Sequence, residues 1–316
     1  IFDFFTGKVV SGKDWSTEMK RMQDRCQARD SAAALMVWQE VGYRHAQSVL
    51  SSRDVKGCIY WWTPGSGKSI MVALLMELAM AKGLEILDVS TPQNIRENHL
   101  EQCIKSLLKF SPVYSKRGRA RGANAGGEGV TDEAVQKLQA EFRRKKPGVL
   151  KNNFMSLRTF QNQCQKGMWD LGNVCVIVDE CHEVFNERAC DARVVLSHLA
   201  KARKVFTLSG TPWRTGHELQ AQLALLHYDQ AHVRSSLAPL MGGVEEGRDS
   251  TADMTQDEKL QLLKECCRGR VSYVDGTRDR SNFPLKAPIQ IAECPMSPAQ
   301  LHNHNLRCQP QLNRLK

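Results

Sequence analysis

Apolar residues along this chain follow two alternating rhythms. Short apolar runs occur at Cys58-Ile59-Tyr60-Trp61 and, unbroken, at Val174-Cys175-Val176-Ile177-Val178; Lys204-Val205-Phe206-Thr207-Leu208 and Glu85 to Ser90 are further strand-like segments with polar residues among the apolar ones. Runs of this length, rich in β-branched and aromatic residues, predict strands buried on both faces. Between them lie longer stretches at helical spacing. Ser31 to Leu50 is one, and Ser69 to Lys82 is another, with Ile70, Ala73, Leu74, Met76, Leu78 and Met80 almost encircling it. A helix apolar all round is one packed on a sheet, and Gly83 is placed to end it. Further helices are expected over Asn94 to Lys109, Arg214 to Tyr228 and Thr255 to Cys267. Strand and helix alternate, which predicts an α/β fold with a mostly parallel central sheet flanked by helices.

The stretch from Tyr114 to Gly148 breaks this rhythm. It opens with the basic, glycine-rich Lys116-Arg117-Gly118-Arg119-Ala120-Arg121-Gly122 and closes with Arg143-Arg144-Lys145-Lys146. A short helix from Thr131 to Phe142, capped by Thr131, fits between them. From Lys116 to Lys146 there are nine Lys/Arg against four Asp/Glu, so the insertion is a candidate for contact with phosphates. A solvated insertion or an import tract fits the same composition. Few aromatic side chains interleave with the charges, so nothing here reads bases.

Composition narrows the setting. The chain of 316 residues carries a net charge of +10, which favours a polyanionic partner. Its 11 cysteines are an odd number and form no Cys-x-x-Cys pair. That argues against a zinc finger or a disulfide framework and for reduced thiols in an intracellular compartment, whether cytoplasm, nucleus or a viral factory. No run of about 18 apolar residues is present, so no membrane-spanning helix is expected. The first residue is Ile1, and the chain reads as a piece of a longer protein.

The chemistry gathers where strands end. After Trp61-Trp62 comes Thr63-Pro64-Gly65-Ser66-Gly67-Lys68-Ser69 and then a helix. This is the strand–loop–helix setting of a phosphate-binding loop, although Trp62 stands where the general pattern has glycine. Gly65 and Gly67 let backbone N–H groups curl round a polyphosphate, and the helix start adds its positive end. Lys68 would reach the outer phosphates, and the Ser69 hydroxyl would take Mg²⁺. The second strand end is Asp179-Glu180-Cys181-His182. There Asp179 would hold Mg²⁺ and Glu180 would deprotonate the attacking water; a solvated acidic strand end has the same letters. The third is Ser209-Gly210-Thr211-Pro212, whose hydroxyls would sense the phosphate state, or which simply closes a strand.

The order of Thr63–Ser69, Asp179–His182 and Ser209–Pro212 resembles the superfamily 2 helicases and translocases, specifically their first RecA-like domain. Within that superfamily the chain is similar to the helicase-like ATPases of large nucleocytoplasmic DNA viruses and to Snf2-like translocases. The resemblance extends to Tyr43-Arg44-His45-Ala46-Gln47, to Asp88–Asn94, to Asn153–Phe160, and to the later stretches Val271–Asp275, Asn282–Pro284 and Ile289–Ser297.

It implies a RecA-like P-loop NTPase domain that hydrolyses ATP with Mg²⁺ and moves on nucleic acid, DNA ahead of RNA. It implies Lys68, Asp179, Glu180 and His182 as catalytic residues. Gln47 would read the adenine, and Thr63, Pro64, Gly65, Ser66, Gly67, Lys68, Ser69, Ser209 and Thr211 would surround the nucleotide, with Ser69 and Asp179 on Mg²⁺. The expected organisation is an extension over 1–52, the ATP-binding domain over 53–228 with its insertion at 114–148, a helical accessory region over 229–288, and the start of a second domain over 289–316. The family completes its site with arginines from that second domain, so the chain alone is expected to bind ATP weakly and turn it over slowly. A transcription ATPase working with RNA polymerase is the alternative. A small-molecule P-loop kinase fits less well, because the order of the two later motifs argues against it and no lid-like arginine-rich segment follows the loop.

Overall fold

The computed structural model describes residues 34–91, 99–111, 113–114, 130–143, 154–167, 170–186, 190–238 and 255–274, with 2–3, 8–9 and 24. All of these lie in the first of two compact units, Ile1–Arg278; the second is Asp279–Lys316. The turn at 92–94, the basic runs at 115–129 and 144–146, the linker at 242–254 and the stretches at 282–284 and 289–297 lie outside the described residues.

Two residue pairs, β1 (Phe2–Asp3) and β2 (Lys8–Val9), meet antiparallel. The main sheet contains β3 (Gly57–Trp62), β4 (Glu85–Ser90), β5 (Phe154–Ser156), β6 (Val174–Asp179), β7 (Lys204–Ser209) and β8 (Val271–Val274). Their order is β5-β4-β6-β7-β3-β8, and every pairing is parallel. This is a RecA-like α/β sheet. The four apolar runs are its four inner strands, as expected for strands covered on both sides.

Side-chain alternation assigns the two faces. Cys58, Tyr60, Trp62, Ile86, Cys175, Ile177, Phe206 and Leu208 share one core with α1 (Val37–Ser51), α2 (Lys68–Ala81) and α3 (His99–Phe110). Leu87, Val89, Val174, Val176, Val178 and Val205 point the other way, against α5 (Leu157–Gln165) and α6 (Ala192–Leu199). The short α4 (Asp132–Arg143) packs on α3 through Val135 and Leu138. Ile59 meets α7 (Gly216–Leu225), α8 (Gln230–Leu237) and α9 (Gln256–Cys267).

The sheet extends beyond the predicted strands. Val271–Val274 pairs with β3, from Ile59↔Val271 to Trp62↔Val274, so the sixth strand comes from a stretch that the periodicity places in a helical accessory region. At the other end, α1 lies on the sheet and is part of its core.

Helix starts follow their caps. The expected helix from Ser31 begins only at Val37, because Met36 is extended and its N–H donates to Gln39 Oε1 at 3.0 Å. Thr215 and Thr255 each accept from the N–H three residues on, Glu218 and Glu258, so α7 and α9 start at 216 and 256. The far end of α1 is held by Lys204. Its ammonium donates to the Val49 and Ser52 carbonyls at 2.9 and 2.8 Å, and burial pulls its pKa down to about 8. That grip fixes α1, which carries two groups that reach the phosphate-type loop.

Candidate active site

Six parallel strands put all their carboxyl ends on one edge, where open α/β sheets bind ligands. The loop 63–67 leaves that edge at the end of β3. Thr63 N–H donates to Val274 O at 3.2 Å, tying the loop's root to β8. The Ser66 hydroxyl donates to Thr63 O at 2.7 Å, and the chain turns through Gly65 at φ 81° and Gly67 at φ 88°. Lys68 begins α2, so the free N–H groups of that helix open onto the loop. At Gly67 a Cβ would sit 2.2 Å from Gln39 Nε2, so both the dihedral and the space demand glycine.

Trp62 does not crowd the loop. Its indole is fully buried, donates to Ser272 Oγ at 3.1 Å and lies against Gly42, where a Cβ would be 2.7 Å from the ring. Its carbonyl faces the site and accepts from Lys68 Nζ at 3.4 Å.

β6 ends in Asp179, buried at 7 % exposure. Burial pushes its pKa up to about 6, with Asp88 and Glu180 adding repulsion and His99 and Lys68 opposing it. A carboxylate so placed gains from a cation, and its oxygens are hard donors of the kind Mg²⁺ takes; Ser69 lies in the first turn of α2. Glu180 follows at φ 52°, the one non-glycine in the left-handed region among the described residues. Such backbone costs about 1–3 kcal/mol and gathers at functional sites. Here it turns the carboxylate back toward the loop, with Oε1 4.0 Å from Lys68 Nζ.

The third strand end closes the group. His182 Nδ1 lies 2.9 Å from Ser209 Oγ and 3.4 Å from Glu180 Oε2. Ser209 Oγ also stands 3.5 Å from Glu180 Oε2 and accepts from Thr211 N–H at 3.0 Å. His182 Nε2 faces Glu183 Oε1 at 3.4 Å. Trp61 Nε1 donates to Gly210 O at 3.0 Å, fastening this turn to β3. A carboxylate beside a cationic amine, braced by a hydroxyl and an imidazole, can take a proton from water and register what lies beyond Lys68.

The structure thus links Lys68 to Glu180, and Glu180 to His182 and Ser209, by hydrogen-bond or ion-pair distances, with Asp179 adjoining. Thr63, Pro64 and Ser66 shape the loop itself, and Thr211 is exposed beside it. The glutamine at the loop is Gln39, whose Nε2 donates to Ser66 O at 3.1 Å, beside Trp38 Nε1 at 2.9 Å. Gln47 lies about 12 Å further along α1. The signal for Gln39 is a Trp-Gln pair ahead of Gly42, masked by an expected helix start six residues too early.

The family described as "Type III restriction enzyme, res subunit" matches residues 22–214, well over half of the chain and all three strand-end motifs. Among curated proteins none matches. Among solved structures, the "Sulfolobus solfataricus SWI2/SNF2 ATPase core in complex with dsDNA" aligns at 15% identity and TM-score 0.46, over 77% of this chain and 44% of that one. The chain therefore spans less than half the length of that ATPase core.

Proposed function

The chain belongs to the family of the type III restriction enzyme res subunit and carries its helicase-like, superfamily 2 ATPase domain, and on that premise we propose that it binds and hydrolyses ATP to drive movement on nucleic acid. The observation that carries the reading is the meeting of Lys68 with Glu180 at 4.0 Å, and of Glu180 with His182 and Ser209, at the open edge of a parallel sheet. Lys68 and the first N–H groups of α2 neutralise the outer phosphates. Ser69 and Asp179 would hold Mg²⁺, which would supply charge neutralisation to the phosphates. Glu180 takes the proton of the attacking water, and His182 keeps its carboxylate turned inward. Ser209 and Thr211 pass the change at the phosphates to the rest of the turn.

The track is nucleic acid, DNA ahead of RNA, in keeping with the net charge of +10. The test is ATP turnover by the chain with and without single- and double-stranded DNA and RNA. Stimulation by one polymer names the track; ATP bound with turnover unchanged by all four favours the transcription ATPase, and no ATP binding at all ends the reading.

Gln39 touches the loop, whereas Gln47 stands further along α1. Gln39→Ala is expected to weaken nucleotide binding about tenfold, the worth of roughly one good hydrogen bond and the loop order it keeps. Gln47→Ala is expected to leave it unchanged. Titration of a fluorescent ATP analogue decides, and the reverse result would give the adenine-reading role to Gln47.

A further inference from the structure

Away from the loop, β4 and α3 bring a carboxylate, an imidazole and a thiol to one point. Asp88 is wholly buried in β4, beside the strand that ends in Asp179. His99 and Cys103, both buried, stand four residues apart on α3 and so share a helix face. His99 Nε2 is 3.2 Å from Asp88 Oδ2 and 3.8 Å from Cys103 Sγ. All three donor atoms lie within 4.8 Å of one another. Independently, Asp88 Oδ1 is buried with no hydrogen-bond partner among the described residues. A buried carboxylate oxygen left unpaired calls for a missing ligand.

We propose that Asp88, His99 and Cys103 bind one zinc ion that ties α3 to β4. The separations suit it. Tetrahedral zinc, with bonds of about 2.0–2.3 Å, sets nitrogen and oxygen ligands about 3.4 Å apart and nitrogen and sulfur about 3.6 Å apart. The observed 3.2 and 3.8 Å bracket these values. Asp88 Oδ1 supplies the fourth contact, and because the two oxygens of one carboxylate lie much closer together than separate ligands do, the site is distorted from an ideal tetrahedron. One carboxylate and one thiolate balance the ion's charge, so the core acquires none. As the ion enters, the thiol proton and the proton on Nε2 leave to solvent. The thiolate and imidazole select zinc over Mg²⁺ or Ca²⁺, which take oxygen donors. Asp88, His99 and Cys103 are all buried, and the Phe154 ring lies 6.3 Å from that of His99, so the ion would be structural.

The test uses the full, untagged chain made in zinc-supplemented medium. Metal content is measured for the parent, for Cys103→Ser and for Cys164→Ser, a buried thiol on the opposite face of the sheet. The expected result is about one zinc per chain in the parent and in Cys164→Ser, falling at least about tenfold in Cys103→Ser. In the parent, Co²⁺ replacing zinc is expected to give the visible absorption of a tetrahedral thiolate complex, a readout that needs no variant. Folded parent with under about a tenth of an equivalent of zinc and no Co²⁺ band overturns the proposal. So does zinc that stays in Cys103→Ser, which would assign the metal to other residues.

Discussion

Replacing Lys68 with alanine is expected to lower ATP affinity at least about 10²-fold and to remove detectable hydrolysis. The side chain is 13 % exposed, and among the described residues its ammonium meets Trp62 O at 3.4 Å and Glu180 Oε1 at 4.0 Å. Both contacts are long, so the ammonium is loosely held, which supports its proposed place on the phosphates. Lys68 starts α2 without being part of its buried face, so the melting temperature is expected to stay within a few degrees of the parent's. Nucleotide titration and a thermal melt on the same sample check both halves. Parent-like affinity in Lys68→Ala would show that the loop 63–67 does not hold the phosphates.

Glu180→Gln is expected to do the opposite to binding. Glutamine keeps the shape and the left-handed backbone but cannot take a proton, so ATP stays bound while turnover falls by about 10²–10⁴. Slow parent turnover is no obstacle when phosphate release is followed with the protein in excess over ATP. A Glu180→Gln chain that hydrolyses at the parent rate would strike Glu180 from the role of base. The pair of variants separates the two halves of the site, since one loses the substrate and the other keeps it unreacted.

Most of the architecture is legible in the residues because each inner strand is buried on both faces and so carries a short, mainly apolar run. Strands ending in Ser90, Asp179 and Ser209 and the helix after Gly67 lie where hydrophobic rhythm and glycine chemistry put them. What stays hidden depends on distant partners. Val271-Ser272-Tyr273-Val274 is too short to announce a strand; it becomes one because Ile59 and Trp62 offer it an edge. Gln39 is hidden by a helix start that only the bond from Met36 N–H reveals. Trp62 looks intrusive because the sequence does not say that its ring turns inward to Ser272. Asp88 reads as a polar slip in an apolar strand until α3 brings His99 and Cys103 to it.

The place of β3 in the sheet has a consequence for how the molecule is made. Its two neighbours are β7 and β8, paired through Val205–Ser209 and Val271–Val274. Both are synthesised long after it. At about 5–20 residues per second, a ribosome needs roughly 7–30 s after Trp62 before β7 begins to emerge. Throughout that interval Cys58-Ile59-Tyr60-Trp61-Trp62 has neither edge satisfied, and a segment of this kind is one that nascent-chain chaperones and aggregates compete for. The loop 63–67 is thus translated early and anchored late, after both strands that flank β3 have been made.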